Sequence, residues 1–405
     1  QAAALMAAHS LGSASLTGSG YNGSWSSPDK RLFMSNGYFV DMLTQGWVKD
    51  QAVSPGKNQW VSSSDSMMLN TDLCLAFNED IEGAEVNASK PQCCIWPYSG
   101  NVLGIVDVYN DGDFCSVDIS SDGDRDDWRR PLESTDTSIF AAQRAACCGS
   151  ADVVDCGSGF HPAGPAANDV YRFARNEHEW LAVFKEAWSI VTTKGQEDNL
   201  KHLEECPPPD LAASAWPSEV LTCPDGEAAL VTDSMTECTY NEIVQDVQSL
   251  LNGLPSTCTA SECPQADFTA CVVRLAGHDF LDYDAATGEG GSDGCTNLLE
   301  DSNKGLAACL TGTDSLQSVY SSYCQEVSLA DFVVIAAEAV LGFSRELFIQ
   351  SFNGSASLDL KSQFRFGRKT SRECTDASRL LPDAEGTCPE VRRVFLESMG
   401  LDWEQ

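Results

Sequence analysis

Eighteen cysteines in 405 residues constrain the fold of this chain more than any other feature. They begin at Cys74, double up at Cys93 and Cys94 and again at Cys147 and Cys148, and end at Cys388, among Gly, Ser and Pro. No paired Cys-x-x-Cys knuckle occurs, so zinc is the weaker reading. An even count in a loop-rich chain points to as many as nine disulfides and to an oxidising compartment. Three N-x-S triplets, at Asn22, Asn87 and Asn353, are N-glycosylation acceptors and agree with secretion. The expected setting is extracellular, and the sequence reads as mature material without a signal peptide.

The charge narrows the partners. With 60 acidic residues against 25 basic ones, the formal charge is −35. A field of that sign repels nucleic acid and anionic membranes, so neither is an expected partner. Bound cations, high salt or an acidic compartment would relieve the self-repulsion. No stretch approaches the roughly 18 consecutive apolar residues of a membrane span, so no membrane insertion is expected.

Apolar spacing predicts a mainly α chain. Residues 176–192 place Trp180, Leu181, Phe184, Ala187, Trp188 and Val191 on one helical face. Residues 241–252 start at an Asn cap and gather Ile243, Val244, Val247, Leu250 and Leu251. Residues 38–47, 267–278, 327–342 and 389–399 carry similar patterns. Strand signals are few and short, mostly near 103–118. Two segments break the pattern. Residues from about 84 to 168 read as an irregular, Cys-rich, disulfide-stapled insertion. Residues 196–238, with three prolines at 207–209, read as a linker or clasp. The chain then divides into 1–195, 196–238 and 239–405.

Chemistry concentrates in the last third. VVRLAGHD (272–279) puts Arg274 and His278 at i and i+4, on the same side of one helix. A base beside a fixed cation suits heterolysis of a peroxide O–O bond, one moving the proton and the other stabilising the departing oxygen. The same spacing also suits a purely structural pair. GEGGSDGC (288–295) and DSNKGL (301–306) follow.

These segments resemble the distal helix and its sequel in plant-type haem peroxidases, the superfamily that includes cytochrome c peroxidase, ascorbate peroxidase and the secreted fungal enzymes. The resemblance implies that Arg274 and His278 are the distal pair and that Asn303 orients the histidine. It makes Asp279, Gly291 and Asp293 ligands of a distal calcium. SLADFVVIAAEAVL (328–341) with FRFGRKT implies a pair between Asp331 and Arg368. RLLPDA and EVRRVFLESMGLDWEQ match the approach to the proximal helix, whose continuation stands at the other end of the chain. ALMAAHSLG (4–12) resembles that helix and makes His9 the iron ligand. SGYNGSW puts Trp25 at the proximal tryptophan of cytochrome c peroxidase. DSMMLNTD makes Asp72 the carboxylate that bonds the proximal imidazole, and NEHEWLAVFKEAWSIV matches the closing helix. Ser10 and Ser26 match ligands of a weak proximal cation site. Four positions depart from the family. Gly277 replaces a distal aromatic, Cys295 a hydroxyl ligand of calcium, Gln363 a haem-packing proline, and Met34 stands where the cation loop carries an Asp.

The resemblance implies a two-lobed, haem-peroxidase-like helical fold with its halves in permuted order. Residues 1–195 are the proximal half and 239–405 the distal half. A tandem-repeat register, a circular permutation closed by 196–238, and a processed fragment completed by a neighbour all suit that order. The expected function is a secreted haem peroxidase that binds haem b, with calcium as a possible second cofactor. It would reduce hydrogen peroxide and oxidise a one-electron donor. The alternative is a structural repeat of an extracellular filament, packed against neighbouring copies of itself.

Overall fold

The computed structural model describes residues 1–27, 30–54, 56–62, 65–77, 93–95, 148, 154–155, 164–206, 223, 228–259, 262–312, 314–352, 354, 356–375 and 380–403. Helices dominate the described residues, and strands are short. Most of the cysteine-rich region 84–168, including its expected strands near 103–118, lies outside them, as do Asn87 and Asn353.

The first element is α1 (Ala2–Met6), which tightens into a 3₁₀ turn over Ala7–Ser10 that carries His9. All five residues of α1 are buried, and the helix packs on the later helix Glu177–Thr193. Next come α2 (Gly37–Thr44), an antiparallel hairpin of β1 (Trp47–Ser54) and β2 (Lys57–Val61), β3 (Met67–Met68) and α3 (Asn70–Ala76). The helical pattern expected over 38–47 therefore stops at Thr44, and Trp47 opens a strand. β1 lies at the centre of a five-stranded sheet ordered β3-β2-β1-β4-β5. Its outer members β4 (Cys93–Ile95) and β5 (Val154–Asp155) belong to the cysteine-rich region. The Gly164 amide donates to the Ala76 carbonyl at 2.8 Å, and the Ala166 amide to Leu75 at 3.0 Å. A Cβ at Gly164 would meet the Cys74 carbonyl at 2.2 Å, so only glycine lets the returning chain close on α3.

After α4 (Ala167–Arg175), α5 (Glu177–Thr193) begins where the Asn176 side chain accepts the Glu179 amide at 3.2 Å. Such a cap stabilises a helix by about 1 kcal/mol. Its buried face is the one that spacing predicts, from Trp180 to Val191. β6 (Lys201–His202) pairs with β7 (Arg365–Phe366). α6 (Glu237–Gly253) is capped by the Thr236 side chain, so it starts ahead of the expected Asn241. α7 (Pro264–Leu281) carries Arg274 and His278. It is followed by α8 (Ala307–Leu310) and α9 (Leu316–Tyr320). α10 (Leu329–Phe352) outruns the expected 327–342 and is buried nearly all round as far as Leu341. It packs against both α6 and α7. α11 (Cys388–Val391) continues as a π-helical turn over Arg392–Ser398.

The two ends of the chain meet. The Gln1 ammonium donates to the Asp402 carbonyl at 3.0 Å, and the Ala2 amide to the same oxygen at 3.3 Å. In return the Asp402 amide donates to Gln1 Oε1 at 3.3 Å. Glu404 and Gln405 lie outside the described residues. Asp331 and Arg368 form an ion pair at 2.7 Å, with side chains 0 % and 1 % exposed. Asp331 also accepts the Gly367 amide, and Arg368 Nε donates to the Thr192 carbonyl.

Seven disulfides are described, namely Cys74–Cys388, Cys94–Cys148, Cys206–Cys238, Cys223–Cys324, Cys258–Cys263, Cys271–Cys309 and Cys295–Cys374. No free cysteine occurs among the described residues, and none of their helices is long and apolar enough to cross a membrane.

Candidate functional site

His9 sits on a buried carboxylate. Its Nδ1 lies 2.9 Å from Asp72 Oδ1, and Asp72 is 0 % exposed. Asp72 stands in the first turn of α3 and also accepts the Leu69 amide at 2.7 Å. Trp25 Nε1 donates to its other oxygen at 2.7 Å. The Tyr38 hydroxyl donates to Oδ1 at 2.8 Å. Burial pushes the Asp72 carboxyl up, but His9 and the donors around it outweigh burial and hold it below the usual range. The same burial, with Asp72 alongside, drives the Tyr38 hydroxyl well above its ordinary value. A carboxylate can only accept, so His9 donates through Nδ1, and Nε2 is the ring nitrogen that points away from Asp72. The ring stacks on Trp25, centroids 4.5 Å apart, and remains 35 % exposed.

A second imidazole is held in the same way. His278 Nδ1 lies 2.7 Å from Asn303 Oδ1. The amide is oriented by its own Nδ2, which donates to the Asn297 carbonyl at 2.9 Å. Nε2 of His278 is therefore the free base, and Arg274 Nε donates to it at 3.1 Å. The guanidinium is anchored by the carbonyls of Ser302 and Lys304, each at 2.7 Å. One short loop thus fixes both members of the pair. Burial, then the adjacent Arg274, pushes the His278 pKa down to about 3. Burial also lowers that of Arg274. Gly277, between them, has no atom within 4 Å of where a Cβ would stand.

The segment that follows His9 packs on the helix that carries His278. Gly12, three residues after His9, packs on α7 so tightly that a Cβ there would lie 2.2 Å from Ala270 Cβ; its φ of +72° also favours glycine. Ser13 Oγ donates to Asp267 at 3.2 Å. Further along, Gly18 Cα and Arg274 Nη1 lie 3.8 and 3.7 Å from the point where a Gly305 Cβ would be. The segment after His9 therefore follows α7 up to the Arg274 head.

Beyond His278, Asp279 Oδ2 accepts the Gly294 amide at 3.1 Å, while Oδ1 is buried without a hydrogen-bond partner. Burial, then Asp293 and Asp282, holds Asp279 well above the usual carboxylate range. Burial lifts Asp282 to about 8 and Asp293 to about 6. The Ser292 hydroxyl is a second buried oxygen without a partner. Gly291 closes the turn by accepting the Asp293 amide at 2.6 Å. Cys295 is bonded to Cys374 and offers no thiolate. Among the described residues no group of three or more His, Cys, Asp or Glu is arranged to hold a metal. On the proximal side Ser26 Oγ donates to the Ser10 carbonyl at 3.1 Å, and Ser10 Oγ is buried without a partner. Asn22 is exposed, as a glycan acceptor must be.

Tyr38, Asp282 and the carbonyls at 302 and 304 enlarge the set that the sequence singles out. Asp282 was visible as a third acid one turn after Asp279, whereas nothing local marks Tyr38. No protein-family model matches this chain, and no solved structure matches it.

Proposed function

We propose that this chain is a secreted haem peroxidase that reduces hydrogen peroxide at the expense of a one-electron donor. The observation that carries the reading is the matched locking of two histidines. In each, Nδ1 is held by a fixed oxygen, a buried carboxylate for His9 and an amide for His278, and Nε2 faces away from it, at His278 onto Arg274 Nε. This is how a metal-binding imidazole and a peroxide base would differ in their surroundings. The chain resembles plant-type haem peroxidases in the segments that carry both histidines. The reading includes their two-lobed fold in permuted order, and the contact of Gln1 with Asp402 in one chain supports it.

The residues present fit haem. His9 Nε2 would hold the iron, and the Asp72 carboxylate on Nδ1 would raise the ligand's basicity. Haem supplies the iron on which a peroxide is reduced and a store for its oxidising equivalents. His278 Nε2 takes the proton from the near oxygen of the peroxide and delivers it to the departing one. Arg274 stabilises charge on that oxygen. Before this, Arg274 must release the Nε2 lone pair, to which it donates. Asn303 keeps Nδ1 protonated, so the proton always moves at Nε2. A hard cation such as calcium fits the Asp279–Asp293 turn, where two buried oxygens want a partner. It would rest on two carboxylates and backbone carbonyls.

Rapid mixing of the haem-loaded protein with peroxide tests the reading. His278→Leu should slow the reaction about 10²- to 10⁴-fold with haem still bound, the usual worth of a positioned acid–base group. An unchanged rate would remove His278 from the mechanism.

A further inference from the structure

The core holds a carboxylate for which peroxide reduction has no use. Glu338 on α10 is 5 % exposed, and its side chain bridges to α5 and α6. Its Oε1 accepts Trp188 Nε1 from α5 at 3.1 Å. Its Oε2 accepts the Tyr240 hydroxyl from α6 at 2.6 Å. Tyr240 and Trp188 are themselves buried. An ionised carboxylate in such a place is costly, and two neutral donors offset the cost only in part. Burial accordingly lifts Glu338 to about 7, against the pull of both donors and of Arg368. Burial, and then Glu338, drives the Tyr240 hydroxyl well above its ordinary value, which keeps its proton in place as a donor. On its other side Trp188 meets Phe280 edge-on at 6.0 Å, and Phe280 follows His278 by two residues. An oxidisable indole therefore stands between the peroxide end of α7 and a phenol already hydrogen-bonded to a base.

We propose that Tyr240 is a redox-active tyrosine, oxidised by way of Trp188, with Glu338 as its proton acceptor. This rests on the haem-peroxidase reading, because the oxidant is the peroxide-oxidised haem. It deepens that reading by locating a store for one oxidising equivalent inside the protein. One electron passes from Tyr240 through Trp188 to the oxidant, which is reduced by one electron. The phenolic O–H bond breaks, and the proton forms an O–H bond at Glu338 Oε2. The products are a neutral tyrosyl radical and a neutral glutamic acid, so the step discharges the buried negative charge. A one-electron donor returns the electron, and the proton goes back to the phenolate oxygen.

The acceptor must be ionised, so radical yield should fall as pH drops through about 7. The charged or titratable groups facing Glu338 are Tyr240 from α6, with Arg368 and Asp359 from the chain that follows α10. Trp188 from α5 brings no charge.

Photo-oxidation of the haem-free protein by a flash-generated ruthenium(III) polypyridyl complex, read by electron paramagnetic resonance, tests the proposal. A neutral tyrosyl signal should appear, rise with pH through about 7, and vanish in Tyr240→Phe while surviving in Tyr320→Phe. Glu338→Gln should remove the pH dependence and lower the yield. A signal of equal strength in Tyr240→Phe, or an unaltered pH profile in Glu338→Gln, overturns the proposal. Should either variant fail to fold, the native profile decides, and a yield independent of pH overturns it. No haem enters this experiment, so a failure to bind haem would sink the peroxidase reading without touching the result.

Discussion

The imidazole of His278 works only while neutral, and its surroundings keep it so. Taking a charge there means leaving water and approaching Arg274, which is why its pKa lies at about 3. The sign follows directly. Above that value Nε2 carries a lone pair, and below it the base is already protonated. The rate constant for reaction with peroxide should therefore stay flat from neutrality down to about pH 4 and fall only on approach to about 3. A steep loss nearer the ordinary histidine value of about 6.5 would mean that burial and Arg274 do not act on the base as described. The spacing of Arg274 and His278 made this pair legible in the sequence, because i and i+4 share a helix face. The carbonyls of Ser302 and Lys304 and the hydroxyl of Tyr38 were not legible. Every backbone has carbonyls, and Tyr38 reaches Asp72 only through the packing of α2 on α3.

The helix α3 matters because it presents Asp72, and its far end is tied by Cys74 to Cys388 at the start of α11. Both cysteines are 0 % exposed, and the bond spans a sequence separation of 314. Replacing both by alanine should cost about 2–5 kcal/mol, the usual worth of such a bridge. The change should appear in the denaturation midpoint and in weaker haem retention, since α3 and the Asp72 it carries would loosen together. No loss of stability would show that the core alone fixes α3. Long helices were readable at this scale because one buried face repeats every third or fourth residue, as Trp180, Phe184, Trp188 and Val191 do. The hairpin of β1 and β2 was not. WVKDQAVS lacks a clean alternation of apolar and polar residues, and Trp47 continued the apolar pattern of the helix before it. The Pro-Gly pair at 55–56 was the available turn signal. The ends of α10 and α6 were misjudged because their limits are set by packing on each other and by the Thr236 cap, both outside the periodic pattern.

At the scale of the whole molecule, a formal charge of −35 acts on every acidic cluster, and most severely on a buried one. Asp279 and Asp282 at the end of α7 feel the charge of Asp293 in the loop that follows, with Asp279 Oδ1 and Ser292 Oγ left without partners. Calcium should therefore raise the unfolding temperature. At about 100 times its Kd it would add about 2.7 kcal/mol, and Asp279→Ala should abolish the gain; calorimetry with and without a chelator checks both. The permuted order that the proposed reading includes rests on the resemblance to a known family. The bonds that join Gln1 and Ala2 to Asp402 are largely made by backbone atoms, which leave no mark in side-chain patterns. They place the start of α1, the helix that leads to His9, against the other end of the same chain, and the whole reading turns on what His9 binds. The most direct test is titration of the purified, haem-free protein with haemin while the Soret band is followed. The account predicts saturation at a single haem per chain with a histidine-ligated spectrum that is lost in His9→Ala and kept in His278→Leu. Absence of binding, or an identical spectrum in His9→Ala, would contradict it.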